Sequence, residues 1–329
     1  MGVTTILLTG LDSPVGWRVR HDLSFFGEDR PEVRLTTLDT VDPEGSIAAV
    51  AEPEWSDTDA VVAMVDWESI TDLADGQTEV DRIATLVGQA AGSGVQHVVV
   101  VTTALAYGAW ENQQTPITEE AQLRPNPNLP GAQASAELER RLIEIRQRHP
   151  GTIICVLRPA LILGERPSSL ALGLARGSRL VDVKDSSPDL QFVHAEDVVS
   201  ALRLAIDDCL DGVYNVAARG TLPSSVQKDL HGSSVRPTVR ARTAARILRR
   251  FGQLGISTLS DSAVPLLSHP IVVATDKLAA RGWKAGYSNE EAVLATAAPR
   301  SRGALLAGGV AAALIGAAAF GATRRRGTA

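Results

Sequence analysis

The chain has 329 residues, 44% of them apolar and 4% aromatic, with a net charge of −6 when histidine is neutral. That length buries a substantial core, enough for one large α/β domain and a smaller lobe, and the lack of any lysine-rich block argues against nucleic acid as a partner. Two cysteines, Cys155 and Cys209, make neither a disulfide framework nor a zinc site; no metal is expected, and both read as reduced, buried small hydrophobes.

The chain starts Met1-Gly2-Val3 and runs into the apolar segment Thr4–Leu8, with no basic stretch and no small-residue cleavage site before it. This is a first strand rather than a signal peptide, which places the globular part in the cytosol. Thr9-Gly10 follows, then helical periodicity from Val15 to about Phe26. A second strand, Val33–Leu38, ends at Asp39. Between Asp39 and Asp59 too few residues remain for a full additional strand and helix. The apolar run Ala60–Val65 precedes a helix over roughly Glu79–Gly92. Val98–Val101 is unbroken valine, as in a strand buried on both faces of a parallel sheet. A charged helix follows over Ala132–Arg148, and Ile153–Leu157 is the next strand.

Strands alternating with helices at this spacing specify an α/β fold with a doubly wound parallel sheet. After Pro159 the pattern turns irregular. Short strands are expected near Gln191–Val193 and Val213–Val216, and helices over Glu196–Asp208, Arg242–Phe251 and Asp276–Ala280. Residues 1–160 thus form the sheet domain, and 161–298 a smaller lobe interleaved with the last sheet strands. Residues 299–302 read as a linker. Gly303–Thr323 is uncharged over 21 residues, with nine alanines and five glycines. It is long enough to cross a bilayer as a hydrophobic C-terminal helix. Gly308, Ala312 and Gly316 supply small-xxx-small spacing, and Arg300, Arg302 and Arg324–Arg326 flank the segment. A membrane anchor is the expectation, which would hold a cytoplasmic domain at the cell membrane; an alanine-rich helix docked on the domain and a loose tail are the rivals.

Thr9-Gly10-Leu11-Asp12-Ser13-Pro14-Val15-Gly16 lies between a strand and a helix, where a Rossmann-like dinucleotide fold puts its glycine-rich turn. Backbone N–H groups at such a helix start hold a pyrophosphate, and glycines let the chain come close to it. Gly10, Ser13, Val15 and Gly16 are the candidate cofactor-binding residues. Asp39 joins them as a carboxylate placed for an adenosine ribose. Ser13-Pro14 also makes a helix start in its own right, with serine as N-cap and proline at the first position, where no N–H is offered to a phosphate.

Four later segments widen the pattern: Val98–Gly108 with Thr102-Thr103 and Tyr107-Gly108, Leu157-Arg158-Pro159 through Gly164, Phe192-Val193-His194 through Asp197-Val198, and Tyr214-Asn215-Val216. In order and spacing, roughly residues 3–297 resemble the extended short-chain dehydrogenase/reductase family of NAD-dependent epimerases and dehydratases. The resemblance implies NAD as cofactor (NADP being an alternative), a nucleotide-sugar-like small molecule as partner, and pairing into a homodimer through a helix such as Ala132–Arg148. It places Thr103 at the family's catalytic Ser/Thr, and Tyr107 is a substitute acid or a packing tyrosine. The family's acid/base is a tyrosine with a lysine four residues on, whose charge lowers the tyrosine pKa. The matching positions here are Gly131 and Ser135. Tyr107, Tyr214 and Tyr287 are followed at that spacing by Glu111, Ala218 and Glu291, so the chain has no Tyr-x-x-x-Lys. Where the family has a small alanine-rich turn against the nicotinamide, this chain has Met64-Val65-Asp66-Trp67-Glu68.

Other polar residues carry milder expectations. Glu111, Glu119 and Glu120 read as solvated charges, His194 as a hydrogen-bonded structural histidine, and Asp197 as a first-turn helix charge. Arg158 either faces an anionic ligand or pairs internally. Three functions remain open on the residues alone: a catalytically impaired, membrane-tethered binding or regulatory protein, an active NAD-dependent enzyme with a rearranged acid/base, or a purely structural scaffold.

Overall fold

The computed structural model describes residues 4–21, 33–39, 47–177, 181–231, 237–254, 257 and 259–297. In chain order the elements are β1 (Thr4–Thr9), α1 (Pro14–His21), β2 (Val33–Thr37), β3 (Ala48–Ala49), β4 (Ala60–Met64), α2 (Leu73–Gly92), β5 (His97–Val101), α3 (Pro130–Arg148), β6 (Ile153–Pro159), β7 (Leu161–Leu163), α4 (Ser169–Ala175), β8 (Asp182–Val183), β9 (Phe192–His194), α5 (Ala195–Asp207), β10 (Gly212–Val216), α6 (Ser224–His231), β11 (Thr238–Val239), α7 (Ala241–Gln253), α8 (Val264–Ser268), α9 (Asp276–Ala279) and α10 (Asn289–Ala297).

Seven strands form one sheet in the order β10-β6-β5-β4-β1-β2-β3, every pair parallel. The winding reverses between β1 and β4, and such a reversal opens a crevice at the carboxyl ends of the two strands. The apolar composition of β4 and of β5 after His97 follows from their central position, where every side chain is buried. β10, from the second half of the chain, completes the edge beside β6. The two-residue β3 adds to the opposite edge. A strand therefore does fit between Asp39 and Asp59, although it is a minimal one.

Each face is covered by a helix pair. On one, α1 and α5 enclose Leu8, Val15, Val19, Val62, Val199 and Leu202. On the other, α2 contributes Val80, Ile83, Val87 and Ala90 and α3 contributes Leu138, Leu142 and Ile145, all buried. That three-and-four spacing is the apolar stripe of a surface helix, and each fully buried Val, Leu or Ile stabilises the fold by about 1.5–3 kcal/mol. α2 begins about six residues before the expected Glu79, because Asp72 caps its first turn by accepting from Ala74 N at 2.7 Å. The lobe has its own apolar cluster, which joins Leu163, Leu174, Phe192, Leu248, Leu259 and Val293. Met1–Thr296 form one compact unit.

One cysteine differs from expectation. Cys155 is buried in β6, and burial pushes its thiol up to about 12. Cys209 is exposed, at a left-handed turn with φ of 46° just beyond α5, so it is not a buried hydrophobe. The segments 299–302 and 303–323 lie outside the described residues, and among the described residues no helix is long and apolar enough to cross a membrane.

Candidate functional site

The crevice is built from the turn after β1. Gly10 has φ of 86°, and a Cβ there would lie 1.4 Å from the Met64 carbonyl oxygen. A Cβ on Gly16 would lie 2.1 Å from the Gly10 carbonyl oxygen. Both glycines are thus demanded by the packing of β1, the turn and α1 upon one another, with or without a ligand. Ser13 caps α1: its Oγ donates to Gly10 O at 2.6 Å and accepts from Gly16 N at 3.0 Å. Pro14 and Val15 are buried in the same helix start.

Asp39 reaches this turn from the end of β2. One carboxylate oxygen accepts from both Gly10 N and Leu11 N at 2.7 Å, and the other accepts from Thr9 Oγ1 at 3.1 Å. Two N–H groups of the glycine-rich turn are therefore already bonded within the protein. Arg82 of α2 donates to the same Thr9 hydroxyl at 2.8 Å and pairs with Glu79. Beside them, Leu38, Asp39, Arg82, Thr85 and Gln89 line an open groove of about 700 Å³.

The far end of the crevice is filled. After β4 the chain makes a short 3-10 turn, Trp67–Ser69, in which Asp66 accepts from Ser69 N and Oγ at 3.2 and 2.6 Å. The Trp67 ring is 2% exposed, and its Nε1 donates to Val101 O at 3.0 Å. Its carbonyl oxygen would be 1.7 Å from a Cβ on Gly131. A tyrosine at that position is therefore excluded by the backbone of the turn. Ser135, one helical turn on, is fully buried, and its Oγ has no hydrogen-bond partner among the described residues. Between Trp67, Val15, Thr103 and Glu68 a cavity of about 10 Å³ remains, room for roughly one water. Thr103 lines it, and its Oγ1 accepts from Leu105 N at 3.2 Å as cap of the following turn.

Glu68 connects this turn to the lobe, accepting from Ile162 N at 3.1 Å and Ser168 Oγ at 2.6 Å. Burial, followed by repulsion from Asp66, pushes its carboxyl up to about 8. Burial raises Asp66 also. Beyond Glu68 opens a cleft of about 520 Å³ edged by Thr71, Asn128, Ser169, Asp261 and Ser262, rich in hydroxyls.

Tyr107 is placed elsewhere. It is fully buried; its hydroxyl donates to Asn215 Oδ1 at 2.9 Å and accepts from Arg158 Nη1 at 2.6 Å. Arg158 pairs internally, through Nε, with Glu139 at 3.0 Å, and Glu139 also accepts from Thr102 Oγ1 at 2.9 Å. Burial raises the Tyr107 pKa, against the pull of Arg158. Glu119 is not simply solvated, since it accepts from Asn215 N at 2.9 Å, whereas Glu111 and Glu120 are exposed. His194 accepts from Glu196 N and stacks on Tyr287 at 3.9 Å. Asp197 accepts from Gly286 N and Tyr287 N, and burial pushes it up to about 6.

The structure thus gathers Gly10, Ser13, Val15, Gly16, Asp39 and Thr103 around one crevice and puts Tyr107 in a separate buried network. Arg82 and Glu139 are residues that sequence reasoning did not single out, whereas Trp67 and Glu68 belong to the turn that it placed at the nicotinamide position. For Glu139 a signal existed: it lies four residues after Ser135 on the buried side of α3, where an unpaired carboxylate is untenable.

The profile of the NAD dependent epimerase/dehydratase family matches residues 7–217. No curated protein matches the chain. Among solved structures, UDP-glucose 4-epimerase from Thermotoga maritima, in complex with UDP-glucose, superimposes with a TM-score of 0.60 at 18% identity, over 89% of this chain and 97% of that one. The dTDP-glucose 4,6-dehydratase of Bacillus anthracis, in complex with NAD, gives 0.62 at 16% identity, over 89% and 95%. An NAD-dependent NDP-hexosamine 5,6-dehydratase of tunicamycin biosynthesis gives 0.64 at 19%, over 89% and 96%. At such identities these likenesses establish the fold. The family is NAD dependent, and in this crevice the buried Trp67 side chain leaves a cavity of about 10 Å³ beside Val15 and Thr103.

Proposed function

The chain belongs to the NAD dependent epimerase/dehydratase family, and from that premise we propose that it is a catalytically impaired member acting as a ligand-binding or regulatory protein, tethered to the cell membrane through 303–323. The observation that carries this reading is the 1.7 Å between a Gly131 Cβ and the Trp67 carbonyl oxygen. It leaves no room at this position for the tyrosine that would exchange the proton during hydride transfer, and the Trp67 side chain is buried beside it. The hydroxyl-rich cleft beside Glu68 suits a nucleotide-sugar-like ligand, whose many hydroxyls need both donors and acceptors. NAD is the cofactor class of the fold; here the open groove at Asp39 and Arg82 is the part left for its adenosine end.

Calorimetry with NAD⁺ and NADH on the full chain in detergent, alongside a turnover assay with UDP-glucose, tests this. The expected result is no turnover and at best weak dinucleotide binding, strengthened in Trp67→Gly, which empties the ring's place. Tight binding by the unaltered chain together with epimerisation or dehydration would overturn it.

A second reading, an active enzyme with a rearranged acid/base, draws on Glu68, whose carboxyl at about 8 is protonated near neutrality and lies on the same small cavity as Thr103. It requires that Thr103→Ala and Glu68→Gln each abolish a measurable activity; an unchanged rate in either removes it.

A further inference from the structure

α7 is unlike the rest of this acidic chain. Between Arg240 and Leu254 there are five arginines, Arg240, Arg242, Arg246, Arg249 and Arg250, and no acidic residue, in a protein of net charge −6. All five are exposed. Ala244 and Leu248 are buried and anchor the helix in the lobe's apolar cluster. Arg242, Arg246 and Arg250 follow one another at four-residue intervals and so share a face. Among the described residues only Arg249 of the five forms an ion pair, with Asp261 at 3.2 Å. At the C-terminal end of the same helix Leu254 is 63% exposed, and Phe251 is half-buried. A cationic stripe ending in an exposed leucine is the composition of a helix lying on an anionic bilayer surface.

We propose that the arginine face of α7 docks on anionic lipid headgroups. The occupant is argued from the chain itself. α10, the last described helix, packs through Ala292 and Val293 into the same apolar cluster as α7, and the uncharged 303–323 segment begins only six residues beyond its end at Ala297. A tether that follows α10 in the chain would hold the lobe near an anionic bilayer surface, where arginines are attracted to the headgroups. The proposal rests on the tether reading for its geometry, but its own signature, dependence on lipid charge, is separate.

Flotation of the full chain with phosphatidylcholine vesicles and with mixed phosphatidylcholine/phosphatidylglycerol vesicles tests it. Binding to the anionic vesicles should be stronger by more than about tenfold, and the excess should disappear in high salt and in the triple variant Arg242→Glu, Arg246→Glu, Arg250→Glu. Salt-resistant binding to neutral vesicles reports the tether, and its absence would remove that reading while leaving the anionic excess to be judged alone. Equal binding to both vesicles by the unaltered chain would overturn the proposal whatever the variant does. So would an anionic excess that survives the triple variant with its fold intact by circular dichroism.

Discussion

Gly131 and Ser135 are the residues on which the functional reading turns, and each makes its own prediction. A Cβ at Gly131 meets backbone, which cannot swing aside as a side chain can. Gly131→Ala should therefore lower stability by about 1–3 kcal/mol, as overpacking does, measured by denaturant unfolding. The pair Gly131→Tyr with Ser135→Lys should not gain epimerase activity while Trp67 is present. Ser135 is the opposite case: its buried hydroxyl is without a partner, so Ser135→Ala should be neutral or stabilising by up to about 1 kcal/mol. Ser13→Ala, by contrast, loses the cap of α1 and should cost about 1 kcal/mol. Gly10 and Gly16 were legible as glycines a Rossmann turn requires. That Asp39 bonds Gly10 N and Leu11 N itself was not, because a carboxylate at a strand end looks the same whether it faces a ribose or the chain's own backbone.

At the scale of elements, α3, β6 and β10 are held by the buried chain Thr102–Glu139–Arg158–Tyr107–Asn215. Glu139→Ala strands the Arg158 guanidinium in the interior and should cost about 3–5 kcal/mol, whereas replacing both with apolar residues of similar volume should recover most of it. Differential scanning calorimetry of the single and double variants separates the two. The turn Asp66–Ser69 and the lobe are tied by Glu68, and the tie depends on pH. A folded carboxyl at about 8 against 4.5 unfolded binds its proton more tightly in the native state. Its stabilisation is full below pH 4.5 and is lost as pH rises through about 8. Asp66 and Asp197 shift in the same direction. The melting temperature should thus fall from mildly acidic to mildly alkaline pH, and Glu68→Gln should flatten that fall; a profile identical to the unaltered chain's would show that Glu68 is not the titrating group. The sequence placed α3 and β5 almost to the residue, since periodicity and unbroken valine are local signals. α2 was placed late, because Leu73 and its neighbours are exposed and add nothing to the apolar stripe.

For the whole molecule, the parallel sheet, its winding and the family could be read from the chain: alternating strands and helices allow few topologies, and the Gly10, Arg158-Pro159, His194 and Tyr214 segments recur in a fixed order. The lack of a Tyr-x-x-x-Lys is likewise a property of the sequence alone. What only the tertiary structure decided is what stands in its place. Residues 67 and 131 lie 64 positions apart, and nothing local in either segment says that the Trp67 carbonyl closes on Gly131. Nor does Arg158 announce its partner, since choosing between a ligand and Glu139 depends on how α3 lies against β6. Periodicity and turn chemistry act between near neighbours and so can be read along the chain, whereas the contents of a crevice are set by contacts between distant segments, which exist only once the sheet has formed.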